Sequence, residues 1–145
     1  MGYTIRVAEW NDRAVAVGIG IEFAKTTVAS EVDEAVFWQT FDRCMKDGLV
    51  LVAEDSGSVV GVCGGFFSEA PLMGGLVFHE VAWYVNPEHR GCGLMLLNDM
   101  EKLAREGGAV GVVMVAYNNA QQKLVETVYR RKGYSEMESH WFRRF

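Results

Sequence analysis

The chain has 145 residues, half of them apolar and 12% aromatic, and it carries a formal net charge of −5. This size and composition predict one globular domain, residues 1–145, and exclude a disordered chain. The acidic balance argues against nucleic acid as the main partner and is compatible with a cationic substrate.

Apolar spacing and turn residues divide the chain into strands and helices. The predicted elements, in chain order, are strand 3–7, helix 15–23, helix 32–44, strand 49–53, strand 58–67, strand 76–85, helix 94–103, strand 110–116, helix 124–129 and strand 134–145. The first helix is the weakest prediction, because its apolar residues are spaced by two as well as by four. Predicted helix caps are Asn11 or Asp12, Ser30, and Asn118 or Asn119. This order alone indicates an α/β or α+β protein.

The most informative stretch follows the strand 76–85. It is Val85-Asn86-Pro87-Glu88-His89-Arg90-Gly91-Cys92-Gly93-Leu94, a proline turn followed by an arginine and two glycines at a helix start. Glycines let backbone N–H groups approach an oxygen-rich ligand, and a helix N-terminus adds about half a positive charge. A phosphate or pyrophosphate ligand is therefore predicted. The stretch lacks G-x-x-x-x-G-K-[ST], and Leu96 stands where a dinucleotide fingerprint needs its third small residue.

These residues resemble the R-x-x-G-x-[GA] acyl-coenzyme-A loop of the GNAT superfamily of N-acetyltransferases, with its upstream V-x-P-x-x-R-G element. Met95 departs from the small residue at the sixth position. A second family element, Y-x-x-x-G-[FY], is matched by residues 129–134. The element order β-α-α-β-β-β-α-β-α-β matches the GNAT fold from end to end. The resemblance thus implies an α+β fold with a central mixed sheet flanked by helices.

The resemblance also implies an activity, which is transfer of an acetyl group from acetyl-CoA to a primary amine by direct attack. The acceptor would be a small-molecule or peptide amine, and Tyr129 would protonate the leaving thiolate. In the family an asparagine often precedes that tyrosine by seven residues, where this chain has Gln122. The predicted cofactor-binding residues are Trp83, Tyr84, Val85, Arg90, Gly91, Cys92, Gly93, Leu94, Met95, Asn119 and Gln122.

A general base is also needed, because a primary amine with a pKa of about 10.4 is mostly protonated at pH 7. Glu80 lies midway along an apolar predicted strand, beside His79. Strand alternation points the two side chains to opposite faces, so only one of them can face the site. Glu80 is the predicted base, directly or through water, and Glu22 is a second candidate.

The cysteines are predicted to be free thiols, because their spacing contains no C-x-x-C pair. Cys92 lies at a predicted helix N-terminus, which is expected to lower its pKa, yet no histidine partner makes it a nucleophile. No His or Cys cluster has metal-ligand spacing, so no metal is predicted.

The sequence also gives predictions of membrane association, localisation and oligomeric state. No apolar run reaches the roughly 18 residues of a membrane span, so no membrane association is expected. The N-terminal residues contain no apolar signal core, which predicts a cytoplasmic protein. The last predicted strand carries Trp141, Phe142 and Phe145, which can pair with a second subunit in a homodimer or cap the core.

Two alternatives to an enzyme stay open. The same loop would serve a non-catalytic module that binds or senses acyl-CoA. A phosphate-binding protein of another class would carry the motif by accident.

Overall fold

The computed structural model describes residues 2–27 and 31–145, and the chain divides into two compact units, Met1–Val115 and Ala116–Phe145. The first unit contains β1 (Thr4–Val7), α1 (Arg13–Ala24), α2 (Glu34–Asp47), β2 (Gly48–Asp55), β3 (Ser58–Ala70), β4 (Gly75–Val85), α3 (Gly93–Glu106) and β5 (Gly111–Val113). The second unit contains α4 (Gln122–Arg131). The predicted α+β fold with a mixed sheet and flanking helices is confirmed.

The sheet has the order β1-β2-β3-β4-β5. Its neighbouring strands are antiparallel except β4 and β5, which are parallel. The β2–β3 hairpin turns at Ser56 and Gly57, both of which have positive φ, as a tight hairpin requires. A parallel pair needs a crossover, and α3 provides it between β4 and β5.

Helices cover both faces of the sheet. Val50, Val52 and Val62 belong to the same buried cluster as residues of α1 and α2. The alternate residue Leu51 points to the opposite face, where α3 packs. The buried stripe of α3 is Leu96, Leu97, Met100 and Ala104, all fully buried. Burying each large apolar side chain contributes about 1.5 to 3 kcal/mol, so α3 is firmly attached to the sheet.

A register shift between β3 and β4 sets the position of Glu80. Gly64 pairs with Ala82 whereas Gly65 pairs with Glu80, so Val81 is the extra residue of a β-bulge. A Cβ atom on Gly65 would overlap the carbonyl oxygen of His79, so the absence of a side chain there permits this close approach. Glu80 therefore lies at the bend of β4.

The ladder between β4 and β5 is short. It joins residues 77–79 to residues 111–113 and ends at the His79–Val113 pair, whereas β4 continues to Val85. The edge of β4 beyond His79 is therefore not paired with β5. The strand predicted over 110–116 is correct in type and too long.

The predicted last strand is wrong. Residues 134–145 form no strand, and the side chains of Trp141, Phe142 and Phe145 are exposed. The physical reason is visible in the sequence, since the two aromatic residues 141–142 and the two arginines 143–144 are adjacent rather than alternating. The homodimer stays a prediction.

Both α1 and α2 begin after an aspartate at the N-cap position. The carboxylate of Asp33 caps α2 by accepting the Ala35 N–H at 3.0 Å, whereas Ser30 lies outside the described residues. Asp12 is the N-cap residue of α1, as predicted, but its carboxylate makes no capping bond and accepts bonds from the Arg6 guanidinium and from the Glu9 N–H. The weakly favoured first helix is confirmed as α1.

Candidate active site

The glycine-containing loop, Pro87–Cys92, consists of two short 3-10 turns separated by a kink at His89, whose φ of −120° and ψ of 18° are not helical, and it runs directly into α3. It follows the end of β4, with Pro87 in the first turn, where a missing N–H costs nothing. Arg90, Gly91, Leu94 and Met95 are exposed. The loop and the first turn of the 14-residue helix are therefore open to a ligand.

The two glycines of this loop are not required for backbone conformation. Gly93 has helical angles, φ −59° and ψ −43°, and the glycines with positive φ lie elsewhere in the chain. Their contribution is the absence of a side chain, which lets a ligand approach the backbone. Cys92, the N-cap residue of α3, makes no side-chain capping bond. An uncapped helix N-terminus beside two glycines fits an anionic group such as pyrophosphate.

Cys92 itself points inward. Its side chain is fully buried, and burial raises the pKa of its thiol, with the negative charge of Asp55 acting in the same direction. The expected lowering at a helix N-terminus is wrong, because loss of solvation outweighs the helix dipole here. Cys92 can reach a cofactor through its backbone only.

Glu80 is a buried carboxyl group at the point where β4 and β5 part. Only 7% of the residue is exposed. Burial raises the pKa of its carboxyl to about 7, although the Val115 N–H, which donates to its Oε2 at 3.0 Å, favours the ionised form. A carboxyl that titrates near neutral pH suits a proton acceptor.

The other acid and base candidates are placed less favourably. The ring of His79 lies against that of Phe66, with centroids 6.4 Å apart. Glu22 pairs with Lys25 at 2.8 Å, and both side chains are 60% exposed. Glu80 is therefore the buried carboxyl that this part of the sheet offers for proton transfer.

Burial of Glu80 predicts a pH-dependent stability. Because the pKa in the folded state (about 7) exceeds the ordinary value of 4.5, stability is lost as the pH rises through this window. Glu80→Gln removes the titration and keeps an oxygen for the Val115 N–H. At pH 8 the free energy of unfolding of the variant should exceed that of the native protein by up to about 3 kcal/mol. At pH 4.5 the two free energies of unfolding should be nearly equal. Urea unfolding at the two pH values measures this. An equal difference at both values would contradict it.

Two side chains connect the loop to the rest of the first unit. The Trp83 indole Nε1 donates to the carbonyl oxygen of Gly93 at 2.9 Å. His89 Nδ1 lies 3.4 Å from Asp55 Oδ2 at the end of β2. Neither contact follows from local sequence patterns, because both partners are brought together only by the folded sheet.

The second unit contains the Y-x-x-x-G-Y element at the end of α4. Gly133 has φ +90°, and its N–H donates to the Arg130 carbonyl while the Tyr134 N–H donates to the Tyr129 carbonyl. This is the Schellman motif, in which the residue at C3 of the helix often makes a hydrophobic contact with the residue at C″. Tyr129 is at C3 and Tyr134 is at C″. Their rings make this contact, with centroids 5.3 Å apart. The motif therefore fixes the orientation of the Tyr129 ring.

Comparisons with known proteins give the family. The sequence model of the acetyltransferase (GNAT) family matches residues 21–134. The chain belongs to this GNAT family. Its members transfer acyl groups from acyl-CoA to amines. Among curated proteins, none matches the sequence significantly.

Solved GNAT structures share the fold over the whole chain. A ribosomal-protein-alanine N-acetyltransferase from Brucella melitensis biovar Abortus 2308 has a TM-score of 0.79 at 18% identity, covering 100% of both chains. A predicted acetyltransferase with acetyl-CoA from Clostridium acetobutylicum has a TM-score of 0.78 at 16% identity, covering 99% of this chain and 96% of that one. Glucosamine-6-phosphate N-acetyltransferase from Arabidopsis thaliana has a TM-score of 0.73 at 17% identity, covering 100% and 99%.

Two amide residues that the GNAT resemblance suggested as cofactor contacts are engaged within the second unit. The Asn119 side chain accepts the Gln121 N–H at 2.9 Å, so it caps the turn before α4 rather than the helix itself. Gln122, the first residue of α4, donates from its side chain to Glu126 at 3.1 Å. These bonds order the turn before α4 and the first turn of the helix.

Within residues 2–27 and 31–145, no group of three or more His, Cys, Asp or Glu side chains could hold a metal ion. No helix in the described part of the chain combines the length and apolar character that a bilayer crossing demands.

Proposed function

We propose that the protein is an acetyl-CoA-dependent N-acetyltransferase that acts on a primary amine by direct attack. The observation that carries this proposal is the loop Pro87–Cys92, which runs from the end of β4 into the uncapped N-terminus of α3. Acetyl-CoA supplies an acetyl group already activated as a thioester. The remaining chemistry is to bind it, orient it and move two protons.

The loop suits the pyrophosphate of coenzyme A. The backbone N–H groups at the start of α3 and the exposed Arg90 guanidinium offer hydrogen bonds and positive charge. Met95 is 40% exposed, and its unbranched side chain can move aside for a ligand. Trp83, Tyr84 and Val85 continue β4 beyond its last pair with β5, so their backbone groups are suited to bind the pantetheine arm.

Two side chains would move the protons. Glu80 takes a proton from the incoming ammonium group, directly or through water, which leaves a neutral amine to attack. A C–N bond to the acetyl group then forms as the C–S bond breaks, and the Tyr129 hydroxyl donates its proton to the departing sulfur. The nitrogen, positively charged after the attack, releases its second proton to solvent, and the Tyr129 phenolate regains a proton from solvent. Glu80 is thus the proposed base and Tyr129 the proposed acid.

The acceptor is proposed to be a small-molecule or peptide amine that carries positive charge, because the protein has a net charge of −5. The structural neighbours named for an acceptor include a ribosomal-protein-alanine, an aminoglycoside and a glucosamine-6-phosphate acetyltransferase. An acceptor screen should therefore contain N-terminal peptides, polyamines, aminoglycosides and amino sugars.

Cofactor binding is the first expected result. Acetyl-CoA at 100 times its Kd should stabilise the protein by about 2.7 kcal/mol, which thermal unfolding measures as a higher Tm. Gly93→Val should remove the shift while the protein stays folded, because branching at Cβ crowds the loop. Gly111→Val is the matched control, since a Cβ there meets nothing within 4 Å. Absence of a shift at millimolar acetyl-CoA would overturn the proposal.

Turnover separates an enzyme from a binding module. The acceptor screen, followed by release of free thiol, should identify at least one amine whose acetylation Gly93→Val abolishes. Binding of acetyl-CoA without turnover of any amine would favour the non-catalytic module.

A further inference from the structure

One tryptophan connects the end of β4 to the first turn of α3. The Trp83 indole N–H donates to the carbonyl oxygen of Gly93 across 2.9 Å. Gly93 is the first residue of α3, and the intervening residues form the proposed pyrophosphate loop. The bond therefore closes the loop at its base, between the strand that precedes it and the helix that follows it.

Packing supports the same connection independently of the hydrogen bond. A Cβ built on Gly93 would lie 3.8 Å from Trp83 Cζ2 and 3.8 Å from a methyl group of Val85. The indole thus lies directly beside the glycine, with room for no more than a methyl group between them. The ring is therefore in packing range of the first residue of α3, in addition to its hydrogen bond.

We propose that Trp83 is a positioning residue, whose indole holds the first turn of α3 in the orientation that presents backbone N–H groups to a pyrophosphate. This inference rests on the proposed function. Trp83 is partly buried, and an indole N–H that is removed from water usually finds a hydrogen-bond partner. Here that partner is the backbone of the helix that would bind the cofactor, so its loss should weaken cofactor binding more than the chemical step.

The test uses Trp83→Phe, which keeps an aromatic ring and removes the N–H. Loss of one hydrogen bond should raise the Kd for coenzyme A and the KM for acetyl-CoA by about 2- to 13-fold. The kcat at saturating acetyl-CoA should stay within about twofold, because saturation restores the bound state. Trp10→Phe is the matched control, since Trp10 packs against Phe41 and should leave both constants unchanged.

A second measurement needs no cofactor. Amide hydrogen exchange of residues 94–97 in the ligand-free protein should accelerate by about 2- to 13-fold in Trp83→Phe and not in Trp10→Phe. Trp83→Tyr, whose hydroxyl lies elsewhere on the ring, should behave like Trp83→Phe and replaces it if that variant is unstable. Unchanged exchange in both variants would overturn the proposal. Faster exchange in a protein that binds no coenzyme A would overturn the proposed function alone.

Discussion

Replacing Glu80 with glutamine is expected to lower kcat by about 10²- to 10⁴-fold near neutral pH, the usual contribution of a positioned general base. Glutamine has nearly the same size and keeps an oxygen that can accept the Val115 N–H, but it cannot take a proton. The native kcat/KM should rise with pH up to the pKa of about 7 that burial gives Glu80 and then level off. The kcat/KM of the variant should keep rising with pH toward the amine pKa of about 10.4, because it depends on amine that is already neutral. The difference in kcat/KM between the two proteins should therefore narrow as the pH increases.

Glu69→Gln provides the matched control for this experiment. Glu69 lies on β3 and is exposed, so its replacement removes the same charge from the same sheet without removing a buried carboxyl. It should leave the pH profile of kcat/KM unchanged. If Glu80→Gln retained native kcat and the native acidic limb, Glu80 would serve only as the acceptor for the Val115 N–H, and the base would lie elsewhere.

The fold could be predicted where local patterns and tertiary pairing agree. The continuous apolar runs of β2 and β3 and the apolar stripe of α3 correspond to elements of the structure within a few residues. The end of β5 could not be predicted in this way, because residues 112–115 are all apolar and suit a strand equally well. Pairing with β4 ends at Val113, and the Val115 N–H instead donates to the Glu80 carboxylate. The end of β5 thus coincides with a hydrogen bond to Glu80, which is distant in sequence.

In the candidate site, too, features set by local sequence could be predicted and features set by tertiary packing could not. The glycine spacing predicts a loop at a helix start, and residues 87–92 do lead into α3. Anion binding by this loop stays a prediction. The pKa of Cys92 was predicted in the wrong direction, because burial depends on how α3 packs. The indole bond from Trp83 to Gly93 joins a strand to a helix, and no periodicity in the sequence predicts it.

Replacing Tyr129 with phenylalanine is the second substitution with a large expected effect. It keeps the ring that packs against Tyr134 and removes only the hydroxyl, so α4 and its Gly133 cap should be retained. We expect kcat to fall by about 10²- to 10⁴-fold, because the leaving thiolate would lose its proton donor. Acetyl-CoA should still raise the Tm as in the native protein, since binding is assigned to the loop before α3.

Tyr134→Phe separates a proton donor from a helix cap. The Schellman arrangement alone accounts for two aromatic residues at positions 129 and 134, because they pack against each other whether or not either hydroxyl reacts. If packing were the whole reason for the motif, both tyrosine-to-phenylalanine variants would keep native kcat. If Tyr129 is the acid, only its own replacement lowers kcat, and the loss should be smallest for an acyl-CoA analogue whose leaving thiol has a low pKa, since such a thiolate needs no protonation to depart.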